Sequence, residues 1–237
     1  MDYRMIPVGD QAVAIEMGTT IDPAVNQRLQ TIGQAVLAAH LPMVKTVIPG
    51  YATLTVTFNG QMATTEMVMK KLTPLIDAAM QAKLAPHQTW LIPVCYGGEF
   101  GPDLADVAAF AKCSAEEVIA KHTSRDYLIY FMGFLPGFAY MGSVVDEIAM
   151  PRLAEPRLEI PAGSVGIAGA QTGFYPVASP GGWRIIGQTP LKLYDPAHPQ
   201  SFYHAGDLIR FQAVSAAEFA TIKQAVAAGT YQPKGVA

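Results

Sequence analysis

The sequence predicts an α+β chain in two parts: an N-terminal ferredoxin-like unit over residues 1–88, then a β-rich unit over residues 89–237. Three observations carry this. Up to Tyr96 the apolar periodicity runs strand, helix, strand, strand, helix, strand, which is the split βαβ order. Beyond Tyr96 the chain turns to short apolar segments broken by Gly and Pro, the pattern of a closed or sandwiched all-β domain. With 237 residues, 51% of them hydrophobic and 15% charged, the chain is long and apolar enough for one large core or two small ones.

In order, Val13, Ile15 and Met17 alternate with smaller or polar neighbours, as in a half-buried strand. Asp22-Pro23 reads as an N-cap with proline at the first helical position, and Val25, Leu29, Ile32 and Val36 share the helical face that follows. Val44 to Ile48 and Thr53 to Phe58 read as two strands joined at Pro49-Gly50. A second helix covers about Thr65 to Leu84, with Pro74 as an interruption and Thr73 as a fresh cap or a kink. Thr89 to Tyr96 is the strand that completes the first pattern. Asp103 caps a short helix to about Lys112, and Ser114-x-x-Glu117 is a capping box for another that ends near His122. Strands are then expected at Tyr127 to Phe131, Gly163 to Ala168, Phe174 to Val177, Trp183 to Ile186, Leu191 to Tyr194 and Asp207 to Val214, and a last helix at about Ala216 to Ala228.

The net charge is −3, and 16 Lys and Arg are spread thinly, so no basic stripe suits nucleic acid. No apolar run reaches bilayer length, and the N-terminus lacks a signal-peptide core. Cys95 and Cys113 form no CxxC motif. A reduced, cytoplasmic protein is the expectation. There is no GxxxxGK[ST] loop, no GxGxxG before a helix, no metal spacing and no GxSxG elbow.

The segment with most to say is Pro161-Ala-Gly-Ser-Val-Gly-Ile-Ala168. Val165 and Ile167 point one way; Ser164, Gly166 and Ala168 point the other. The second face is nearly bare, which admits a ligand or another backbone closely, or marks a tight barrel corner. Gln171 and Thr172 follow with neutral donors and acceptors. Gly133 to Gly142 reads as a shaped loop. Phe134 is assigned to packing, Phe138 and Tyr140 to a pocket wall. Arg152 and Arg157 each follow a proline and would clamp a carboxylate or phosphate if the prolines break strand regularity; two solvated arginines are the plainer reading. His122, at a helix C-terminus, would have its pKa raised and serve as a cap or a proton shuttle.

Tyr96-Gly-Gly-Glu-Phe-Gly-Pro-Asp-Leu104, His122, Gly133-Phe-Leu-Pro-Gly-Phe-Ala-Tyr-Met-Gly142, the doubled Pro-Arg, Pro161-Ala-Gly-Ser-Val-Gly166, Gln171-Thr-Gly173 and Ser179-Pro-Gly-Gly-Trp183 resemble the family of 5-oxoprolinase B subunits. It is also called the KipI-like or allophanate hydrolase subunit 1 family. Ala139 is a local departure, since proline is usual there. The resemblance implies a ferredoxin-like first domain and a cyclophilin-like β-barrel second. It implies partner subunits C and A, ATP with Mg bound jointly with a partner, and opening of 5-oxo-L-proline to L-glutamate, with this chain inactive alone. In a regulatory relative it implies instead a binding protein that inhibits a sensor histidine kinase. Under the enzyme reading His122, Arg152 and Arg157 are the catalytic candidates. Phe138, Tyr140, Ser164, Gly166, Gln171 and Thr172 are the substrate-binding ones.

Overall fold

In a computed structural model of the chain the described residues are 2–84 and 87–236. They fall into two compact units, residues 1–86 and 87–237.

The first unit runs β1 (Arg4–Pro7), β2 (Ala12–Glu16), α1 (Pro23–Ala38), β3 (Val44–Pro49), β4 (Thr53–Phe58) and α2 (Thr65–Gln81). The strands form one antiparallel sheet in the order β1-β2-β4-β3. On β4 the alternation is complete: Leu54, Val56 and Phe58 are buried, while Thr53, Thr55 and Thr57 are not. Both helices present apolar faces to the same core. Leu29, Ile32 and Val36 of α1 meet Val68, Leu72 and Ile76 of α2 over Val13, Ile15 and Val56. Each such side chain contributes about 1.5–3 kcal/mol on burial. Asp22 Oδ1 accepts from the Ala24 and Val25 amides at 2.7 and 3.3 Å, so α1 starts where the cap signal put it. Buried Asn26 donates Nδ2 to the carbonyls of Gly50 and Tyr51, at 2.7 and 3.3 Å, which ties α1 to the β3–β4 turn. Pro74 does not end α2: the helix continues through it, and Thr73 Oγ1 donates back to the Met69 carbonyl at 2.9 Å.

The second unit holds β5 (Thr89–Tyr96), α3 (Leu104–Ala111), α4 (Ala115–Thr123), β6 (Asp126–Met132), β7 (Ala139–Gly142), β8 (Arg157–Ile160), β9 (Ser164–Ala168), β10 (Gln171–Phe174), β11 (Ser179–Gly181), β12 (Arg184–Gln188), β13 (Leu208–Ala213), α5 (Ala216–Ala227) and β14 (Lys234–Val236). The sheet runs β12-β9-β10-β7-β6-β13-β5, and β12 then pairs with β5 through Gly187–Tyr96 and Gln188–Cys95. A seven-stranded barrel is thereby closed. Strand β14 covers the N-terminal half of β5, and β8 with β11 makes a separate two-stranded ribbon.

The strand Thr89–Tyr96 departs from the strand-helix order read for the first unit, although it lies within residues 89–237. It completes no sheet in the first unit; it pairs parallel with β13 from Leu208–Thr89 to Ala213–Val94. The place beside β2 belongs to β1. Ile92 and Val94 explain the choice, since both are fully buried in the barrel core with Ile209 and Phe211.

Three smaller differences follow from long-range pairing. Ala139–Gly142, read as loop, is strand β7, held between β6 and β10 with Ala139 and Met141 turned into the core. Leu191–Tyr194, read as strand, is an unladdered segment whose Leu191 and Leu193 nonetheless bury. The strand expected at Phe174–Val177 lies earlier, at Gln171–Phe174. Both capping boxes at the starts of α4 and α5 form, Ser114 with Glu117 and Ser215 with Glu218. Asp103 precedes α3 but makes no side-chain cap bond.

Candidate functional site: an aromatic cleft on the barrel

Gly166 on β9 and Gly173 on β10 stand directly opposite one another on the outer face of the barrel. A Cβ at Gly166 would lie 3.0 Å from the Arg184 carbonyl and 3.2 Å from Trp183 Cβ; one at Gly173 would lie 2.9 Å from the Ala139 carbonyl and 3.0 Å from the Trp183 ring. The bare strand face is therefore filled by Trp183 of the same chain. A small cluster grows on it: Phe138, Tyr175, Trp183, Ile160 and Ile185, with Tyr140 and Leu135 at its edge. Phe138 meets Tyr175 and Trp183 edge to face at 5.3 and 5.4 Å between ring centres, and lies 4.8 Å from Tyr140.

This cluster lines a cleft of about 320 Å³. One rim is the β6–β7 loop, closed by Gly133 N–H to the Phe138 carbonyl at 2.7 Å and Phe138 N–H to the Leu135 carbonyl at 2.9 Å. The other rim is Ser179-Pro180-Gly181-Gly182. Glycine is required at 181, because a Cβ there would overlap the Tyr175 hydroxyl. Arg152 supplies the cation. Burial pushes the Tyr175 phenol up in pKa, with the nearby Arg152 charge opposing. Ser179 Oγ, on the cleft wall, is shielded and has no hydrogen-bond partner, a state that costs about 1–3 kcal/mol.

Of the residues singled out from sequence, the cleft gathers Phe138, Tyr140 and Arg152. Phe134, assigned to packing, is instead 95% exposed at the cleft rim. Ser164 and Gly166 are buried in β9, and Gln171 is half-buried on β10; none of the three lines the cleft.

Arg157 does not join Arg152 in a clamp. Its guanidinium is held bidentately by Asp103, at 2.7 and 2.8 Å, which keeps it firmly protonated. Asp103 also accepts the Ile185 amide at 2.6 Å. The carboxylate read as a helix cap thus fastens β8 and β12 to the start of α3.

His122 and Thr172 lie inside the barrel. Thr172 Oγ1 donates to the Gly166 carbonyl at 2.9 Å. Its one proton being used, it accepts from His122 Nε2–H at 2.9 Å, which leaves Nδ1 to accept the Tyr96 hydroxyl at 2.8 Å. His122 stacks on Phe211 at 4.6 Å. The expectation of a raised pKa is reversed: complete burial pushes the imidazole down to about 3, and it stays neutral at physiological pH. Tyr96 is half-buried as a residue, but loss of solvent around its phenol pushes the hydroxyl well above its usual range, so it remains a donor. This is a satisfied core network, removed from the cleft.

Sequence reasoning missed Tyr175 and Trp183 as cleft walls. Ser179-Pro-Gly-Gly-Trp183 was visible as a motif, but the contact of Trp183 with Gly166 and Gly173 depends on the folded sheet.

The family described as "Carboxyltransferase domain, subdomain C and D" matches residues 3–203. A protein of Bacillus subtilis (strain 168), named as the B subunit of 5-oxoprolinase, is 37% identical over 233 residues, covering 94% of this chain and 97% of its own. A protein of the same name from Escherichia coli O157:H7 is 40% identical over 210 residues, covering 88% of this chain and 94% of its own. The chain belongs to the family of 5-oxoprolinase B subunits. Among solved structures, the protein titled TTHA0988 superposes with a TM-score of 0.78 at 29% identity over 87% of this chain. The matched part is 40% of that longer chain. The K. lactis urea amidolyase shares the fold, with a TM-score of 0.76 at 16% identity over 99% of this chain and 16% of its own.

For a member of that family, the cleft offers little of what ATP with Mg requires. The cleft presents one guanidinium and no carboxylate. Among the described residues no group of three His, Cys, Asp or Glu could hold a metal ion. The cleft does not fit a magnesium-bound triphosphate. No described helix is long and apolar enough to cross a membrane.

Proposed function

We propose that this chain is the B subunit of an ATP-dependent 5-oxoprolinase of the cytoplasm, a hetero-oligomer in which the B, C and A subunits together open 5-oxo-L-proline to L-glutamate. The observation that carries this is identity of 37–40% to proteins of that name over nearly the whole chain. On this reading the first unit is a ferredoxin-like sheet with β1 in the closing position, and the barrel is cyclophilin-like in fold.

The reaction breaks the ring C–N bond. Water supplies hydroxide to the carbonyl carbon and a proton to the nitrogen. The bond is a planar, resonance-stabilised amide, so the reaction needs water controlled and developing charge met by fixed donors. In this chain Phe138, Tyr140 and Trp183 keep water from the cleft wall, and Arg152 meets an anionic group at its rim. The phosphate and metal sites belong largely to a partner, given the single cation here, and bind ATP jointly with this chain.

The test is reconstitution. The purified chain with ATP and 5-oxoproline gives no glutamate; the chain mixed with its C and A subunits does. A stable, complete mixture that makes none would sink the proposal, and turnover by the chain alone would sink the claim of dependence on partners.

A further inference from the structure

We propose that the barrel cleft binds a small planar ring carrying one carboxylate, with the ring against the aromatic wall and the carboxylate on Arg152. The proposal rests on the function read above, since 5-oxoproline is a member of that class. It deepens that reading by placing the ligand on this chain and by excluding a polyphosphate from the cleft.

Lining comes first. Tyr140, Phe138 and Trp183 make the wall apolar and aromatic, which suits a small ring and gives an extended polar chain few partners.

Charge comes second. The Arg152 guanidinium makes no hydrogen bond or ion pair among the described residues, whereas Arg157 is bound to Asp103 and Arg184 reaches Asp106 at 3.4 Å. The Arg152 backbone is held from both sides: Leu153 N–H donates to the Gly182 carbonyl at 2.7 Å, and Arg184 Nε to the Pro151 carbonyl at 3.2 Å. The backbone on either side is held while the guanidinium fork is left unoccupied, and such a fork matches the two oxygens of a carboxylate. One positive charge balances one carboxylate and leaves a polyphosphate mostly uncompensated.

The third observation is Ser179. Its hydroxyl lies shielded in the cleft wall without a hydrogen-bond partner, and a hydroxyl can both donate to and accept from a ring amide that reaches it.

The experiment is calorimetric titration of the full chain, without other subunits, against three probes. These are 5-oxoproline, 2-pyrrolidinone (the same ring without the carboxylate) and inorganic tripolyphosphate. 5-Oxoproline binds, and 2-pyrrolidinone binds at least about tenfold more weakly. Arg152→Gln, at an exposed position that does not threaten folding, removes that difference by weakening 5-oxoproline alone. Arg152→Lys restores only part of it, because an ammonium lacks the fork. Equal affinity for the two rings overturns the proposal. So does tighter binding of tripolyphosphate than of 5-oxoproline, or no heat from 5-oxoproline at millimolar concentration. Glutamate production by the assembled subunits without binding to this chain would remove the inference and leave the functional reading. Binding without turnover by a stable, complete assembly would do the reverse.

Discussion

His122 is held by the barrel interior as a neutral imidazole, and this has a pH signature. Its pKa is near 6.5 when unfolded and falls to about 3 on burial. The folded state then binds fewer protons than the unfolded one between those values. The stability conferred is complete above about pH 6.5 and is lost as pH falls toward 3, at up to about 1.4 kcal/mol per pH unit. Both tryptophans, Trp90 and Trp183, lie in the second unit, so their fluorescence follows barrel unfolding. Denaturant midpoints between pH 6.5 and 5, above most carboxylate titrations, should fall for the wild type and fall less for His122→Gln. Equal slopes would show that His122 titrates freely. The two arginines part company by the same measurement. Arg152→Ala should shift stability by about 0.5 kcal/mol or less. Arg157→Ala strands the Asp103 carboxylate, whose side chain is 5% exposed, and should cost roughly 2–3 kcal/mol. Equally small losses would place both in solvent. At Gly166 the contacts with the Arg184 carbonyl and Trp183 leave no room for a branched side chain. Gly166→Val should therefore destabilise the barrel by about 1–3 kcal/mol, and an unchanged unfolding midpoint would contradict the close packing.

At the scale of elements, local chemistry was legible wherever it is self-contained. The Asp22-Pro23 cap, the Ser114–Glu117 box and the period-two run of β4 need only their own neighbours. Ser114→Ala should destabilise the barrel unit by about 1 kcal/mol, seen as a lower midpoint by tryptophan fluorescence. Elements that depend on distant partners were misread. The residues of β7 end a stretch, 133–142, whose glycines and aromatics suggest a loop, and become a strand because β6 and β10 offer hydrogen bonds on both sides. Leu191 and Leu193 alternate as in a strand and bury as in one, yet no ladder reaches them.

At the scale of the whole molecule, β5 decides the division. It pairs with β13, β14 and β12, and without it the barrel cannot close. A fragment of residues 87–237 should fold, with native-like tryptophan emission and cooperative unfolding. A fragment from residue 98 onward should not, because Ile92 and Val94 would be missing from the core and β13 would be left as an open edge. A folded shorter fragment would show that β5 is dispensable.

The sequence by itself determined the two-part α+β organisation, the helix starts, the β-rich second half and, through its ordered motifs, the family. These rest on signals read within a few residues of one another or on motifs that survive as contiguous text. Only the tertiary structure decided which strands Thr89–Tyr96 pairs with, that Trp183 fills the face left bare by Gly166 and Gly173, and that Arg157 belongs to Asp103 while Arg152 stays free at the cleft. Each is a contact between segments far apart in the chain. Such contacts are chosen by burial and by pairing of charges and backbone groups across the fold, and neither is fixed until the barrel closes.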